Sequence, residues 1–482
     1  MSKQQRLHPA AILFNFVRVI KEALFAVVLG FITLRDGPLF YFILIGSIII
    51  LLLVIFSILS WYRFTYRVEG DELRIEYGIF IRKKRYISKN RIQSIDLTAG
   101  VIHRVFKLVQ VQIETAGSGT RAEASLKAVR LAEGERLRSE LKEVRKGSLS
   151  DEVHEGVLEE SPEPFYQITF KRLFLAGSTS GSIGIILAFA VFGISELEQF
   201  IPKEFYDNTI QWVVGLSIII IAGLLFIILI FLWLLGIAGT MIKYGNFTIT
   251  KKTNDELFIT RGLIEKKQIT IPRKRIQAVG IRESVIRQPL GFVTLFAEVA
   301  GGSFDKGEDF STVLFPIMKK GEVNDFLKEL LPEYAEHVEE MTPIPRRGLK
   351  FYLFRATFPF ILIGAGIAYF IPQYLWVPIV LLLGSSSIGF LRYQDAGFQI
   401  EGERLTVRYR ILSKVTMFIY HKRLQAFEKE QNPIQKVQSL TTLRLSIVGV
   451  LGAGKHYVIK DLDDSKVVGL SEWYSYKTKN LV

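Results

Sequence analysis

GDELRIEYGIFIRKKRYISKNRIQSI, residues 70–95, lies without a gap over NDELFITRGLIEKKQITIPRKRIQAV, residues 254–279, at an offset of 184. Asp71/Asp255, Glu72/Glu256, Leu73/Leu257, Ile75/Ile259, Gly78/Gly262 and the triplet Arg91-Ile92-Gln93/Arg275-Ile276-Gln277 are identical. The match runs on through Val101-Ile102/Val285-Ile286 and Glu114/Glu298 to Ala116-Gly117/Ala300-Gly301. A third, more diverged copy follows at offset 332, with Leu73/Leu405, Tyr77/Tyr409, Arg91/Arg423, Gln93/Gln425, Ile102/Ile434 and Gly117/Gly449. So many matches in one frame mark an internal repeat, which decides the architecture before any short motif is weighed.

An apolar segment pair precedes each copy. The clearest spans are 39–62 and 210–242; weaker ones are 173–194, 356–371, 374–391 and a stretch near 10–34 interrupted by Arg18, Lys21 and Glu22. At about 20 apolar residues per crossing, this predicts six spans in three close pairs. The 482-residue chain is 49% hydrophobic yet carries 22% charged residues, because the two kinds are segregated along it. The predicted layout is hairpin 1 (1–62), domain 1 (63–145), acidic linker (146–164), hairpin 2 (165–243), domain 2 (244–335), linker (336–348), hairpin 3 (349–391) and domain 3 (392–482).

Charge sets the expected orientation. The connection at 33–38 has Arg35 against Asp36, the one at 195–209 has a net charge of −3, and Pro372-Gln373 has none. Only two of 61 Lys and Arg residues therefore lie there. Basic loops stay inside, so the hairpin tips are expected outside, with both termini and all three domains in the cytoplasm of a cell-membrane protein. No cleavable signal peptide is expected, since MSKQQRLHPAA lacks a compact apolar core before a small-residue site. The absence of cysteine excludes a disulfide framework, a thiolate metal site and a thiol nucleophile.

Within a copy, FTYRVEG-DELRIEYG alternates around a turn and reads as a β-hairpin. Strands follow near 79–87, 91–97, 108–115 and 122–128, with a short helical piece near 101–107. An amphipathic helix is expected at 131–145, with a counterpart in KKGEVNDFLKELLPEY; copy three shows no clear terminal helix. The fold class is α+β: a helix pair followed by a small, partly open β-barrel whose mouth a helix covers, three times over.

GVLGAGKH (449–456) has the glycine and lysine spacing of a P-loop, which would suit an ATP-driven exporter subunit. However, His456 stands where a Mg²⁺-binding hydroxyl is required, and the YVIKDL that follows reads as a strand rather than a helix. In the repeat frame Gly449 matches Gly117 and Gly301, so the glycines read as a barrel turn. DLDDS (461–465) lacks the glycine and terminal glutamate of a calcium loop and reads as a hairpin turn. Histidines 8, 103, 154, 337, 421 and 456 have no metal-ligand spacing, and no catalytic constellation stands out.

These residues resemble one family, the bacterial pleckstrin-homology-like membrane proteins of the YdbS/YdbT-like group. The marks are the R-I-Q triplet, the following Gln288-Pro289-Leu290-Gly291 and a strand ending in an A-G or G-G turn. The resemblance covers the whole chain and is greatest to the three-domain YdbT-like members. Copy three departs from it with Asn432-Pro433-Ile434-Gln435. The resemblance implies a pleckstrin-homology-like barrel with a C-terminal helix, no catalytic activity or cofactor, and a link to envelope stress and antimicrobial-peptide (bacteriocin) tolerance.

Three groups of residues are candidates. Arg82, Lys83, Lys84 and Arg85, with Lys266 and Lys267 in copy two, are expected either to meet anionic headgroups or to guard a strand edge against pairing. The domains carry net charges of +7, +2 and +6, which favours an anionic bilayer as partner; no nucleic-acid partner is expected. Arg91, Gln93, Arg275, Gln277, Arg423 and Gln425 recur in all copies and are expected to serve the barrel. Arg18, Lys21, Lys171, Arg172, Arg346, Arg347, Lys350 and Arg355 mark where the hairpins begin and are expected to snorkel to the interface. The leading function is a non-enzymatic membrane protein whose domains bind lipid or a protein partner, either of the same family or a second copy. A small-molecule transporter or channel component is the alternative, kept open by AGSTSGSIG (176–184) and GSSSIG (384–389).

Overall fold

In a computed structural model of the chain, the described residues are 4–17, 20, 39–115, 124–142, 165–181, 218–252, 255–300, 311–335, 341–449 and 454–475. The first copy comprises β1 (Gln5–Arg6), α1 (Leu39–Arg63), β2 (Thr65–Glu69), β3 (Glu72–Tyr77), β4 (Lys83–Ser88), β5 (Ile92–Ala99), α2 (Val101–Val105), β6 (Leu108–Thr115), β7 (Ala124–Arg130) and α3 (Leu131–Lys142). The second has β8 (Phe165–Gln167), α4 (Phe170–Ser178), α5 (Ile218–Tyr244), β9 (Thr248–Lys252), β10 (Glu256–Arg261), β11 (Lys266–Pro272), β12 (Ile276–Glu283), β13 (Phe292–Val299), β14 (Thr312–Lys319) and α6 (Val323–Leu330). The third has β15 (Thr342–Pro343), α7 (Leu349–Phe370), α8 (Trp376–Asp395), β16 (Gly397–Glu401), β17 (Arg404–Arg410), β18 (Lys414–Tyr420), β19 (Leu424–Glu430), α9 (Pro433–Val437), β20 (Leu440–Val448), β21 (Gly454–Asp463) and α10 (Asp464–Ser475).

Among the described residues, four helical stretches are long and apolar enough to cross a membrane: Gly46–Arg63, Ala222–Tyr244, Arg346–Phe370 and Pro372–Asp395. The expected spans near 10–34 and 173–194 lie mostly outside the described residues; only the helical stretch 11–17 and α4 are seen there. The acidic linker also lies outside them.

The chain divides into two compact units, Met1–Glu163 with Phe258–Pro272, and Pro164–Leu257 with Arg273–Val482. The cut runs through copy two because the strands do not respect the repeat boundaries. In the first unit β11 of copy two pairs antiparallel with β5 of copy one. In the second, β18 of copy three pairs antiparallel with β12 of copy two, inside a seven-stranded sheet ordered β14-β13-β12-β18-β17-β16-β15. Both junctions use one register. Lys266 faces Ala99, Lys267 faces Thr98 and Gln268 faces Leu97; Lys414 faces Glu283, Val415 faces Arg282 and Thr416 faces Ile281. In the repeat frame these are the same three pairs.

Alternation explains the strands. In β3 Leu73 and Ile75 point inward, and in β6 Val111 and Ile113 do, all nearly or fully buried; each such side chain contributes roughly 1.5–3 kcal/mol of burial. Gly78 and Gly262 end β3 and β10 at φ of 110° and 102°, where a Cβ would sit 2.0 Å from the carbonyl oxygen of Ile81 or Glu265. At these two positions only glycine fits. At the second junction, a Cβ on Gly280 would meet Phe296 at 2.3 Å and Met417 at 2.5 Å, so a missing side chain lets the two copies share one core.

Two expectations are corrected. Copy three does have a terminal helix, α10, which buries Val467 and Leu470. Its sequence hides it, because VVGLSEWYS lacks the regular charged face of the helix at 131–142. DLDDS is not a hairpin turn but the passage from β21 into α10. The Asp463 Oδ1 accepts from the Ser465 backbone N at 3.1 Å and its hydroxyl at 2.6 Å, which satisfies donors that a helix start leaves open.

Candidate functional site

Each copy carries a register shift between its last two strand partners, at Val109/Val111, Val293/Leu295 and Thr441/Leu443. A bulge takes a carbonyl out of the ladder, and a buried carbonyl needs a donor. The carbonyls at that place are those of Lys127, Pro316 and Lys460. Lys127 O accepts from His103 Nε2 at 2.8 Å, Pro316 O from Arg287 Nη1 at 3.1 Å, and Lys460 O from the Tyr352 hydroxyl at 2.9 Å. A carbonyl can only accept, so His103 carries its proton on Nε2.

His103, Arg287 and Gln435 occupy one repeat position, and each helps tie its barrel to a helical segment that precedes it: 11–17, α4 and α7. The His103 ring stacks on Phe14 with centroids 3.9 Å apart, beside a bond from Lys127 Nζ to Asn15 Oδ1 at 2.7 Å. Arg287 donates to Ala176 O and to Thr179 Oγ1, both at 2.9 Å, and so closes the C-terminal end of α4. All of its partners are neutral oxygens, and burial pushes the guanidinium down to about 10. Gln435 donates to Asp461 Oδ1 at 2.8 Å, and Arg355 of α7 forms an ion pair with that same buried carboxylate.

The residues around this position face outward and are apolar. In α2 Val101, Ile102, Val105 and Phe106 are exposed; in copy two Val285, Ile286 and Leu290; in copy three Ile434 and Val437, the last 82% exposed. The turn after each third-strand glycine position adds Phe80 and Ile81, Leu263 and Ile264, and Ile411 and Leu412, with Phe80 at 91%. Turn and short helix meet at both junctions: Arg104 Nη1 donates to Leu263 O at 2.5 Å, while Arg410 donates to Gln288 Oε1 at 2.5 Å and to Leu412 O at 3.1 Å. Arg392, at the end of α8, donates to Ile411 O at 2.8 Å, which sets this apolar rim at the foot of a membrane helix.

Beside α2 the first unit holds a cavity of about 800 Å³. Leu97, Phe106, Leu108, Val109 and Leu131 line its apolar part, and Arg104, Lys107, Arg130 and Lys266 supply four positive charges against Glu135.

The other predicted residues are placed as follows. Lys83, Lys84 and Arg85 run along β4, exposed, and Arg82 precedes it in an ion pair with Glu76 at 2.6 Å. Lys266 lines the cavity and Lys267 lies in the β5–β11 pairing. Arg275 Nε donates to Ala300 O at 2.8 Å, and buried Gln277 donates to Arg275 O at 3.0 Å. Arg91 and Gln425 are exposed, whereas Gln93 and Arg423 are half-buried. Arg18 and Lys21 lie outside the described residues, and Lys171 and Arg346 are exposed. Arg172 pairs with Glu322 at 2.8 Å, Arg347 with Asp463 at 2.6 Å, and Lys350 donates to Gln438 at 3.1 Å. These last bases dock on the barrels. Lys455 of GVLGAGKH forms an ion pair with buried Glu298 of copy two, and Gly454 opens a strand, which is not P-loop geometry.

Comparison with known families matches residues 15–145, 205–334 and 358–478, each to the Bacterial PH domain. This chain belongs to that family. It is 36% identical to the transmembrane protein YdbT of Bacillus subtilis (strain 168), over 99% of both chains.

Sequence reasoning missed the apolar rim and the residue behind it. The signal was present, since Ile102, Ile286 and Ile434 recur in frame, but a recurring isoleucine reads as core until its exposure is known.

Proposed function

We propose that this PH-domain protein is a non-enzymatic membrane scaffold whose three barrels rest, rim down, in the headgroup layer of an anionic bilayer, on the cytoplasmic face. The observation that carries the reading is the recurrence of exposed apolar residues at the same two places in every copy, which in copy three lie at the foot of α8. Such surface costs about 25 cal/mol per Å² while it stays in water, and a row of this kind beside spanning segments fits shallow insertion. The four bases around the first-copy cavity suit a phosphate-bearing headgroup, at about 1 kcal/mol per base near an anionic surface. We extend the proposal to envelope stress and antimicrobial-peptide tolerance, which the family resemblance implies.

The absence of cysteine makes the test clean. Single cysteines replacing Phe106, Ile264, Ile286 or Ile411 in the full chain carry an environment-sensitive dye, in vesicles of phosphatidylglycerol with nitroxide-bearing lipid. Blue-shifted emission with strong lipid quenching is expected at these sites and not at Glu72, which β3 holds outside the rim. Water-like emission at all four sites overturns the reading.

A further inference from the structure

The internal junctions join the fourth strand of one copy to the fifth strand of the copy before it. That logic leaves one strand of each kind over. β4 is the fourth strand of copy one and lies at the edge of its sheet, ordered β1-β2-β3-β4; β19 is the counterpart of β5 and β12 and lies at the edge of the sheet β19-β20-β21. We propose that β4 of one molecule pairs antiparallel with β19 of a second copy of this chain, in the register of the internal junctions.

The register follows from the repeat frame without adjustment. Lys414 facing Glu283 becomes Arg82 facing Gln431, and the next pairs are Lys83 with Glu430, Lys84 with Lys429, Arg85 with Glu428 and Tyr86 with Phe427. Two of these oppose charges of opposite sign, on one face of the new pair because side chains alternate. The one like-charged pair is relieved, since Lys429 already meets Asp464 at 2.7 Å. Glu428 and Glu430 share a single guanidinium, Arg444, at 3.5 and 2.9 Å, which leaves an acidic excess on β19 to meet the basic β4. The internal precedent carries an ion pair of the same polarity, Lys414 to Glu283 at 3.8 Å. Lysines that merely protected an edge would call for no acidic partner strand in register. The turn residues that form the rim stay exposed at both internal junctions, so the pairing leaves lipid contact undisturbed. The contact is head to tail, which gives a ring where the rotation closes and an open chain where it does not.

The experiment mixes two differently tagged full-length chains in neutral detergent, free of anionic lipid. One carries Lys83→Cys and the other Glu430→Cys; a second pair is Arg85→Cys with Glu428→Cys, and Lys84→Cys with Glu430→Cys is the off-register control. Opposed residues in such a pair meet the Cα spacing a disulfide requires. A disulfide between the two tags is expected for both in-register pairs at about tenfold the control yield, the ratio that a 1.4 kcal/mol preference gives. Lys83→Glu with Arg85→Glu in every chain should abolish association measured by sedimentation, and Glu428→Lys with Glu430→Lys added to that same chain should restore it. Equal yields for all three cysteine pairs, or association indifferent to both reversals, overturns the proposal. So does association that appears only when anionic vesicles are added, which would assign the basic run to lipid.

Discussion

Copies two and three root the helices α4 and α7 in the barrel through the same bulge carbonyl, but they place the cation on opposite partners. In copy two it belongs to the barrel: Arg287 reaches out from the short turn after β12 and collects Pro316 O, Ala176 O and two threonine hydroxyls. In copy three it belongs to the membrane helix: Arg355 descends from α7 onto Asp461, while Gln435, at the Arg287 position, completes the network through Asp461 and Thr442. A charge facing neutral oxygens and a charge facing a carboxylate can hold the same joint, yet they differ in what removal leaves behind. The joint is therefore preserved as an arrangement of donors around one carbonyl, not as a residue type.

The comparison breaks most directly at Arg287. Replacement by alanine strips donors from two carbonyls and two hydroxyls in a buried place, at a cost of about 4 kcal/mol. Lysine should recover less than half of this, because an ammonium cannot fork across several acceptors as a guanidinium does. Thermal unfolding of the full chain in detergent, followed by tryptophan fluorescence, reads the loss. A lysine variant as stable as the parent would show that charge alone holds the joint.

Arg355→Ala should cost somewhat less, about 3 kcal/mol, because it strands the buried Asp461 carboxylate, although Gln435 still donates to it. Here a second substitution sharpens the contrast. Asp461→Asn in the same chain removes the stranded charge and should restore most of the stability, whereas no single neutralisation can rescue Arg287→Ala. The same unfolding measurement on the double variant decides it, and failure of Asp461→Asn to help would place the cost elsewhere than in the unpaired charge.

The repeat, the long apolar helices and the alternating strands were legible because each is written in local spacing: Leu73 with Ile75, or Arg91 with Gln93, matched at fixed offsets. The junctions were not. β11 and β18 read as ordinary fourth strands, and nothing in KKQITIP or KVTMFIY says which copy supplies the neighbouring edge, since pairing is a long-range choice of hydrogen-bond partner. Gly280 held a clue, for a glycine inside a strand often marks a close approach. His103, Arg287 and Gln435 share a position but no chemistry, so residue matching passed over them. Their common task appears only once the bulge leaves a carbonyl to be satisfied.

The smallest effect lies at the outer edge of the copy-three joint, where Arg347 meets Asp463. The hydrogen bond from the Ser465 hydroxyl, followed by the Ser465 backbone and Arg347, holds the Asp463 carboxyl below its ordinary value. A lowered carboxyl stabilises the folded state at pH above the unfolded value, near 4, and loses that contribution as pH falls through the folded value. The pair is partly exposed, so Asp463→Asn should cost less than about 1 kcal/mol at neutral pH. The gap between parent and variant should then close on acidification below about pH 4. Copy two has no equivalent exposed carboxylate in its Arg287 network, so Arg287→Ala should keep its full penalty over the same range. Parallel pH series of unfolding temperature for the two variants test this, and a penalty at Asp463 that persists undiminished at low pH would mean that asparagine disturbs the start of α10 rather than an ion pair.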